Sequence, residues 1–513
     1  MAFSRPNEQQ NRIQYTPYDM NKMIRKFTLL AALLTLSSGV ARAQSAQEVG
    51  TLSLQDCIDI AREQSPVAQA ARYALSASRW EFQSYRADLL PGLSISGDAP
   101  NFNKSIFSNV LDDGSVTFSS RRQSEASTSI SINQNILQTG GRLSVSSGVT
   151  RLGIFEDENT YLWQSTPLVV GFQQPIFGFN NLRWRTRLEP LQYEIAQKEY
   201  IENMEGLAVT VSQRFFDVML AQINLENAEF NVARNDSIYQ ISQGRYNVGS
   251  IAENELLQSE LALRNAEAEL TRSRLEYERS LNDFKIILGY PTSVELNVTP
   301  PEELPELDIS VEEAKQMAIE NNSEALSYRL NELQADRNYA QAKSESNFTA
   351  TLQANYGLNQ TSAEFSELYQ NPENRQFITV GFEIPIFNWG KQQAQINAAR
   401  NQQREVANSI EFQRRQFNQQ VEYTVSQFLQ LKDQVLLAAQ SDTIAQRRYD
   451  VAQNRYLIGK IDITNLFIAQ NEKDAARQEY IRALRDFWTG WYELRQLTLY
   501  DFRDGEPIRY SSY

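Results

Sequence analysis

The chain has 513 residues, 22% of them charged, and a formal net charge of −14. It contains no histidine and one cysteine, Cys57, which excludes histidine-based triads, most zinc sites and any intrachain disulfide. An acidic balance of this size also argues against nucleic acid as a partner.

Taken in chain order, residues 1–43 read as a leader. Lys22, Arg25 and Lys26 precede an apolar run from Phe27 to Val40, and Ala41-Arg42-Ala43 supplies a small-x-small cleavage pattern, as in a secretory signal peptide. Met20 and Met23 are alternative starts. The run is shorter than the ~20 residues of a spanning helix. No later run reaches that length, so a membrane portion has to be a closed β-barrel. Residues 54–88 form a helical pattern that ends before Leu89-Leu90-Pro91-Gly92, followed by strand-rich sequence over 93–177. Helix is expected over 188–247 and, past Gly249, over 251–288, where Gly289-Tyr290-Pro291 stops it. A Pro/Glu-rich linker covers 293–309. The pattern then recurs: helix over 310–345 with Ser310 as its cap, strands over 347–387, helix over 391–457 to Gly459, and helix over 462–497. Residues 500–513 read as a tail.

The recurrence is a tandem duplication. Pro-Ile-Phe stands at 175–177 and at 385–387, and Arg-Tyr-x-x-Gly at 245–249 and at 455–459, both offset by 210 residues. Ser53-Leu54-Gln55-Asp56 matches Ser310-Val311-Glu312-Glu313 at an offset of 257, so the first copy carries 47 extra residues in its strand region. The copies are residues 44–292 and 310–499. Cys57 corresponds to Ala314, which marks a small buried helix position rather than a catalytic thiol. Glu312 and Glu313 read as helix-start residues. With no histidine, no usable thiol, no phosphate-cradling loop and no metal spacing, the chain reads as a non-enzyme without a cofactor.

Sixty residues of helix span about 90 Å, which suggests a bundle or tube. Leu256, Leu263, Leu270, Tyr277 and Phe284 recur every seven residues, with Leu261, Ala268 and Leu275 as a second row. The two rows fit either a helix touching neighbours on both sides or an ordinary amphipathic helix. In the strand regions Phe348, Ala350, Leu352, Ala354, Tyr356 and Leu358 alternate with small polar residues, as do Ile378, Val380, Phe382, Ile384 and Ile386. Apolar on one face and polar on the other is the outer-membrane barrel pattern. A soluble sheet with one buried face is the alternative. Tyr356, Phe377, Phe382, Phe387 and Trp389 are candidate interfacial aromatics. Residues 127–136 and 142–149 are further alternating runs joined by Thr139-Gly140-Gly141, and fit either an extra barrel hairpin or an extracellular loop.

The Leu-Gln-Asp-Cys-Ile-Asp-Ile-Ala opening at 54–61, the Pro-Ile-Phe junctions at Pro175 and Pro385 and the two Arg-Tyr-x-x-Gly turns, in duplicated order, resemble the TolC family of outer-membrane efflux and secretion channels. The resemblance covers residues 51–500. It implies a mainly α protomer with transmembrane β-strands, three of which close one β-barrel and one periplasmic α-barrel in the outer membrane of a Gram-negative cell. Four strands from each of three chains would give twelve, and eighteen if the extra hairpin joins. It implies a homotrimeric, passive exit duct for small toxic compounds or polypeptides. The partners would be outer-membrane lipid, a periplasmic adaptor (membrane fusion) protein and an inner-membrane transporter of RND or ABC type. Gly249 and Gly459 would end the descending helices at the periplasmic tips, and Arg245, Tyr246, Arg455 and Tyr456 would dock the adaptor there. The returning helices would line the tunnel entrance, where the family often carries an aspartate pair. Here Asn465 and Ile468 stand at those positions, leaving Asp462 one turn earlier and Glu253 and Glu255 in the first copy. The competing reading is a non-channel periplasmic coiled-coil protein or surface adhesin, which would keep the heptads without needing the alternating strands.

Overall fold

The computed structural model describes residues 51–155, 159–301, 304–305, 309–345 and 348–510. The expected signal peptide lies outside these residues. Apart from the short segment Ser293–Leu296, they belong to one compact unit.

Ser53 opens the first helix by a reciprocal capping box. Its side chain accepts from the Asp56 backbone N–H, and the Asp56 carboxylate accepts from the Ser53 N–H at 3.0 Å. The order is β1 (Thr51–Leu52), α1 (Leu54–Gln64), α2 (Pro66–Asp88), β2 (Gly92–Val110), β3 (Val116–Ile136), β4 (Gly141–Phe155), β5 (Asn159–Pro175), α3 (Asn181–Asn247) and α4 (Glu253–Leu288). The second copy adds β6 (Asn297–Val298), α5 (Val311–Asn321), α6 (Ser323–Glu345), β7 (Thr349–Ser362), β8 (Glu373–Glu383), α7 (Lys391–Leu457) and α8 (Ile463–Thr498), closed by β9 (Tyr500–Asp501) and β10 (Glu506–Pro507). Each helix expected at the start of a copy is two helices. Ser65 caps a new helix with Pro66 at its first position, and Asn322 makes the equivalent break. The two breaks keep the 257-residue offset. α3 begins seven residues earlier than expected and carries Pro190 inside its first turns. Cys57 and Ala314 are both fully buried, on α1 and α5.

The four long helices form a curved wall. α3 packs against α4 on one side and α8 on the other, and α7 packs against α8, giving the order α4-α3-α8-α7. Nearer the strands the order is α2-α3-α6-α7. Phe215, Phe216 and Phe284 fill the α3–α4 contact, and Phe428, Phe487 and Trp491 the α7–α8 contact. β6 lies inside the expected linker and pairs in parallel with β1.

The six long strands form one antiparallel sheet in the order β2-β3-β4-β5-β7-β8. The register places Leu93, Ile132, Val145, Val170, Tyr356 and Gln376 in one cross-strand row. The neighbouring row is Gly92, Asn133, Ser144, Gly171, Asn355 and Phe377. Successive residues face opposite sides, so one face is apolar and the other is polar and rich in serine. Two serine pairs bridge β2 and β3 on the polar face, Ser94 with Ser131 and Ser96 with Ser129, each at 3.0 Å. Phe377, expected among the interfacial aromatics, lies on this polar face, because the strand period of two puts it opposite Ile378 and Phe382.

Candidate functional site

Three features could carry function: the helical tips, the starts of the two returning helices and the sheet. At the first tip Gly249 has φ +72° and its N–H donates to the Tyr246 carbonyl at 2.9 Å, while the Ser250 N–H donates to the Arg245 carbonyl at 2.8 Å. At the second tip Gly459 has φ +73°, and the same bonds run to Tyr456 and Arg455 at 2.9 Å each. Left-handed backbone at both positions is the reason glycine ends each helix.

The side chains around the tips differ from expectation. Tyr456 is buried. Its hydroxyl lies 3.4 Å from Ser242 Oγ, and it packs with Ile238, Tyr449, Ile463 and Leu466 in the core that holds the two tips together. Arg245 folds onto it, with the guanidinium 5.4 Å from the Tyr456 ring and Nη2 donating to the Leu457 carbonyl at 3.3 Å. Tyr246 and Arg455 remain exposed. Val248 and Ile458, the residue before each glycine, are 76% and 66% exposed. Sequence reasoning passed over them, although their equivalent places in the repeat were the available signal.

Past the second tip Asp462 is the N-cap of α8. Its Oδ1 accepts from the Asn465 backbone N–H and from Asn465 Nδ2, both at 2.8 Å. In the first copy Ala252 holds the cap position without a side-chain bond, and Glu253 and Glu255 stand in the first turn of α4 instead. Ile468 is exposed one turn on. The returning helices meet where Gln258 Nε2 donates to Thr464 Oγ1 at 3.2 Å.

Pro175 closes β5 and Pro385 follows β8, each just before a long helix. Aromatic rings gather at this end: Phe177 with Phe348 at 5.5 Å, Phe348 with Phe382 at 6.2 Å, and Phe387 with Trp389 at 4.6 Å. A second group stands at the other end of β5, where the Arg151 guanidinium lies 4.4 Å from the Tyr161 ring and 5.5 Å from Trp163. Trp163 and Pro175 are twelve residues apart, about 30 Å of height for a tilted strand. That is close to the apolar band of an outer-membrane barrel between its aromatic girdles.

A cluster far from the tips was not anticipated. Glu205 on α3 is fully buried and accepts from Arg62 Nη2 at 2.8 Å, from Arg495 Nε at 2.9 Å and from the Tyr510 hydroxyl. Arg495 also pairs with Asp501. The segment expected as a tail is therefore folded back, as far as Tyr510, onto α1, α3 and α8. Burial pushes the Cys57 thiol up to about 12, so it stays protonated.

A family model for outer membrane efflux proteins matches residues 155–290 and 314–498, more than half of the chain. The chain belongs to the outer membrane efflux protein family. The duplicated α–β protomer and the two-faced sheet are those of this family's channels. Among solved structures, the Campylobacter jejuni CmeC outer membrane channel shares 15% identity at a TM-score of 0.64, covering 92% of each chain. VceC, an outer membrane protein of Vibrio cholerae, shares 13% at a TM-score of 0.62, covering 87% of this chain and 95% of its own. The open state of the Neisseria gonorrhoeae MtrE channel shares 16% at a TM-score of 0.56, covering 87% and 88%. At these identities the likeness is one of fold. An uncharacterized Haemophilus influenzae protein is 27% identical over 111 residues, and the match spans 24% of that relative's length. Family and fold are those of channel proteins rather than enzymes.

Proposed function

We propose that three copies of this efflux-family chain close into one passive exit duct, with a barrel in the outer membrane and a helical tube in the periplasm. The observation that carries the reading is the pair of unpartnered edges on the protomer. Among the described residues β2 and β8 each have a strand on one side only, and an open edge is not tolerated in lipid. In the helical wall the edges are α4 and α7, and both show apolar residues outward. On α4 these are Leu257, Leu261 and Leu275. On α7, Leu437, Ile444 and Val451 form an exposed row of seven-residue spacing. The second heptad row of α4 thus faces away from its own protomer, as a tube wall requires.

The duct supplies no energy of its own. The two equivalent tips are suited to a periplasmic adaptor that bridges to an inner-membrane transporter of RND or ABC type. Val248 and Ile458, with Tyr246 and Arg455, are the side chains that meet it. Acids at the mouth favour cationic cargo. Conductance of the purified protein in a planar bilayer tests the reading, together with fractionation and cross-linking of cells. Pores and an outer-membrane trimer are expected; a soluble periplasmic monomer without conductance overturns it. Drug sensitivity of a deletion strain, compared with its loss of secreted proteins, then separates efflux of small compounds from polypeptide export.

A further inference from the structure

The first copy of the repeat holds four long strands and the second holds two. The extra pair belongs in the wall, for two reasons. On the side nearer the helices the register is unbroken from β2 to β8, so the apolar and polar sides continue across all six strands there, and the register shifts at Asp98/Asn101, Ser146/Gly148 and Ser165/Val169 lie beyond that stretch. The turn between β3 and β4, residues 137–140, is seated at the rim of the helices. Gln134 Nε2 donates to the Leu89 carbonyl at 2.9 Å, Asn180 Nδ2 to the Leu137 carbonyl at 3.0 Å, and Gln174 Nε2 to the Thr139 carbonyl at 3.0 Å. Asn180 is also the N-cap of α3, so one side chain ties this turn to the start of the long helix.

We infer that the membrane portion is an eighteen-stranded barrel with a serine-lined lumen, whose exit passes bulky hydrated solutes wider than a twelve-stranded exit would admit. This rests on the trimeric duct proposed above. The cross-section is about twice that of twelve strands at the same tilt.

Inter-subunit disulfides test it. Ser94→Cys or Ser96→Cys on β2 is combined in turn with Arg375→Cys, Phe377→Cys and Thr379→Cys on β8, all on the polar face, in a chain whose one native cysteine is buried. Covalent trimers through β2 and β8 are expected. Cross-links from β8 to Ser146→Cys on β4, with none to β2, would mean that β2 and β3 peel away from the wall, and overturn the inference. Light scattering of the purified channel reads the stoichiometry separately, so loss of the trimer is recognised as failure of the earlier reading. Polyethylene glycols of graded size, added on the strand side alone, then compare the chain with a variant lacking residues 116–155, which joins β2 to β5. A larger size cut-off for the full chain is expected, and an equal cut-off contradicts the wider exit. Should the shortened variant not assemble, the cross-links decide.

Discussion

Glu205 shows how one residue can hold several elements. Its carboxylate is buried on α3 and shared by Arg62 of α1, Arg495 of α8 and the Tyr510 phenol. Removing it takes away the buried carboxylate that both guanidinium groups share, leaving Arg495 with Asp501 and Arg62 with Asp59 at 3.6 Å. Glu205→Ala is expected to destabilise the protein by about 3–5 kcal/mol, read by thermal or chemical unfolding. A second carboxylate on the same helix makes a pH signature. Glu202 accepts from the Ser323 N–H at 2.8 Å and from Ser323 Oγ at 2.9 Å, yet burial outweighs those bonds and raises its pKa above the ordinary 4.5. The native state therefore holds this proton more tightly than the unfolded chain does. The stability it contributes is full below pH 4.5 and is lost as pH rises through the raised native value. Glu202→Gln is expected to flatten the fall in melting temperature over that window, and an unchanged slope would refute the assignment. Neither acid was legible in the sequence. Both sit among ordinary helix residues, and their partners lie more than a hundred residues away in the chain. The cap at Ser310 and the tip glycines were legible, because their causes lie within a few residues.

At the scale of elements, a boundary was readable wherever a local stop signal stands. α7 runs over the expected residues because Gly390 and Gly459, both at positive φ, bracket it. The break between α1 and α2 was missed although Ser65-Pro66 is a cap followed by proline, since the apolar pattern continues across it. The packing of the C-terminal segment was illegible for another reason: what holds it is a buried charge cluster, and composition carries no trace of that. The heptad rows were visible, but not which of them is buried inside the protomer. The structure separates them. Leu263 and Phe284 of the first row are buried, whereas Leu261 and Leu275 of the second are 61% and 64% exposed, as are Leu437 and Ile444 of α7 at 63% and 66%. Placing a charge at these two α7 positions changes little inside one protomer but puts an unpaired carboxylate into the expected contact between subunits. Leu437→Glu with Ile444→Glu is therefore expected to shift the purified protein from trimer toward monomer, with helix content retained by circular dichroism. A trimer as stable as the parent would exclude this edge from the interface.

At the scale of the whole molecule, the 210-residue offset holds from the strand–helix junctions to the tips, and the two copies place equivalent glycines at the same level. Their mouths nevertheless differ in how they carry acid. In the second copy Asp462 is both a charge and a helix cap. In the first, Glu253 and Glu255 are charges near a helix start that Ala252 leaves uncapped by any side chain. Charge and cap can be separated by chemistry, because asparagine caps a helix about as well as aspartate, while alanine costs about 1 kcal/mol. In the trimer proposed above these acids would stand in rings around one opening, in a chain of net charge −14, and such rings favour cations. The reversal potential of a single channel under a salt gradient is expected to show cation preference. Glu253→Gln, Glu255→Gln and Asp462→Asn together should bring the permeability ratio toward one without loss of stability. Asp462→Ala should instead lower stability as well as selectivity. Because exposed charges are screened over about 10 Å at 0.1 M salt and about 3 Å at 1 M, the difference between parent and variant should shrink as salt is raised. A preference that survives the triple substitution at 0.1 M would place the selective ring elsewhere in the duct, with Arg142, Arg375 and Glu383 on the polar face of the sheet as the next charges to test.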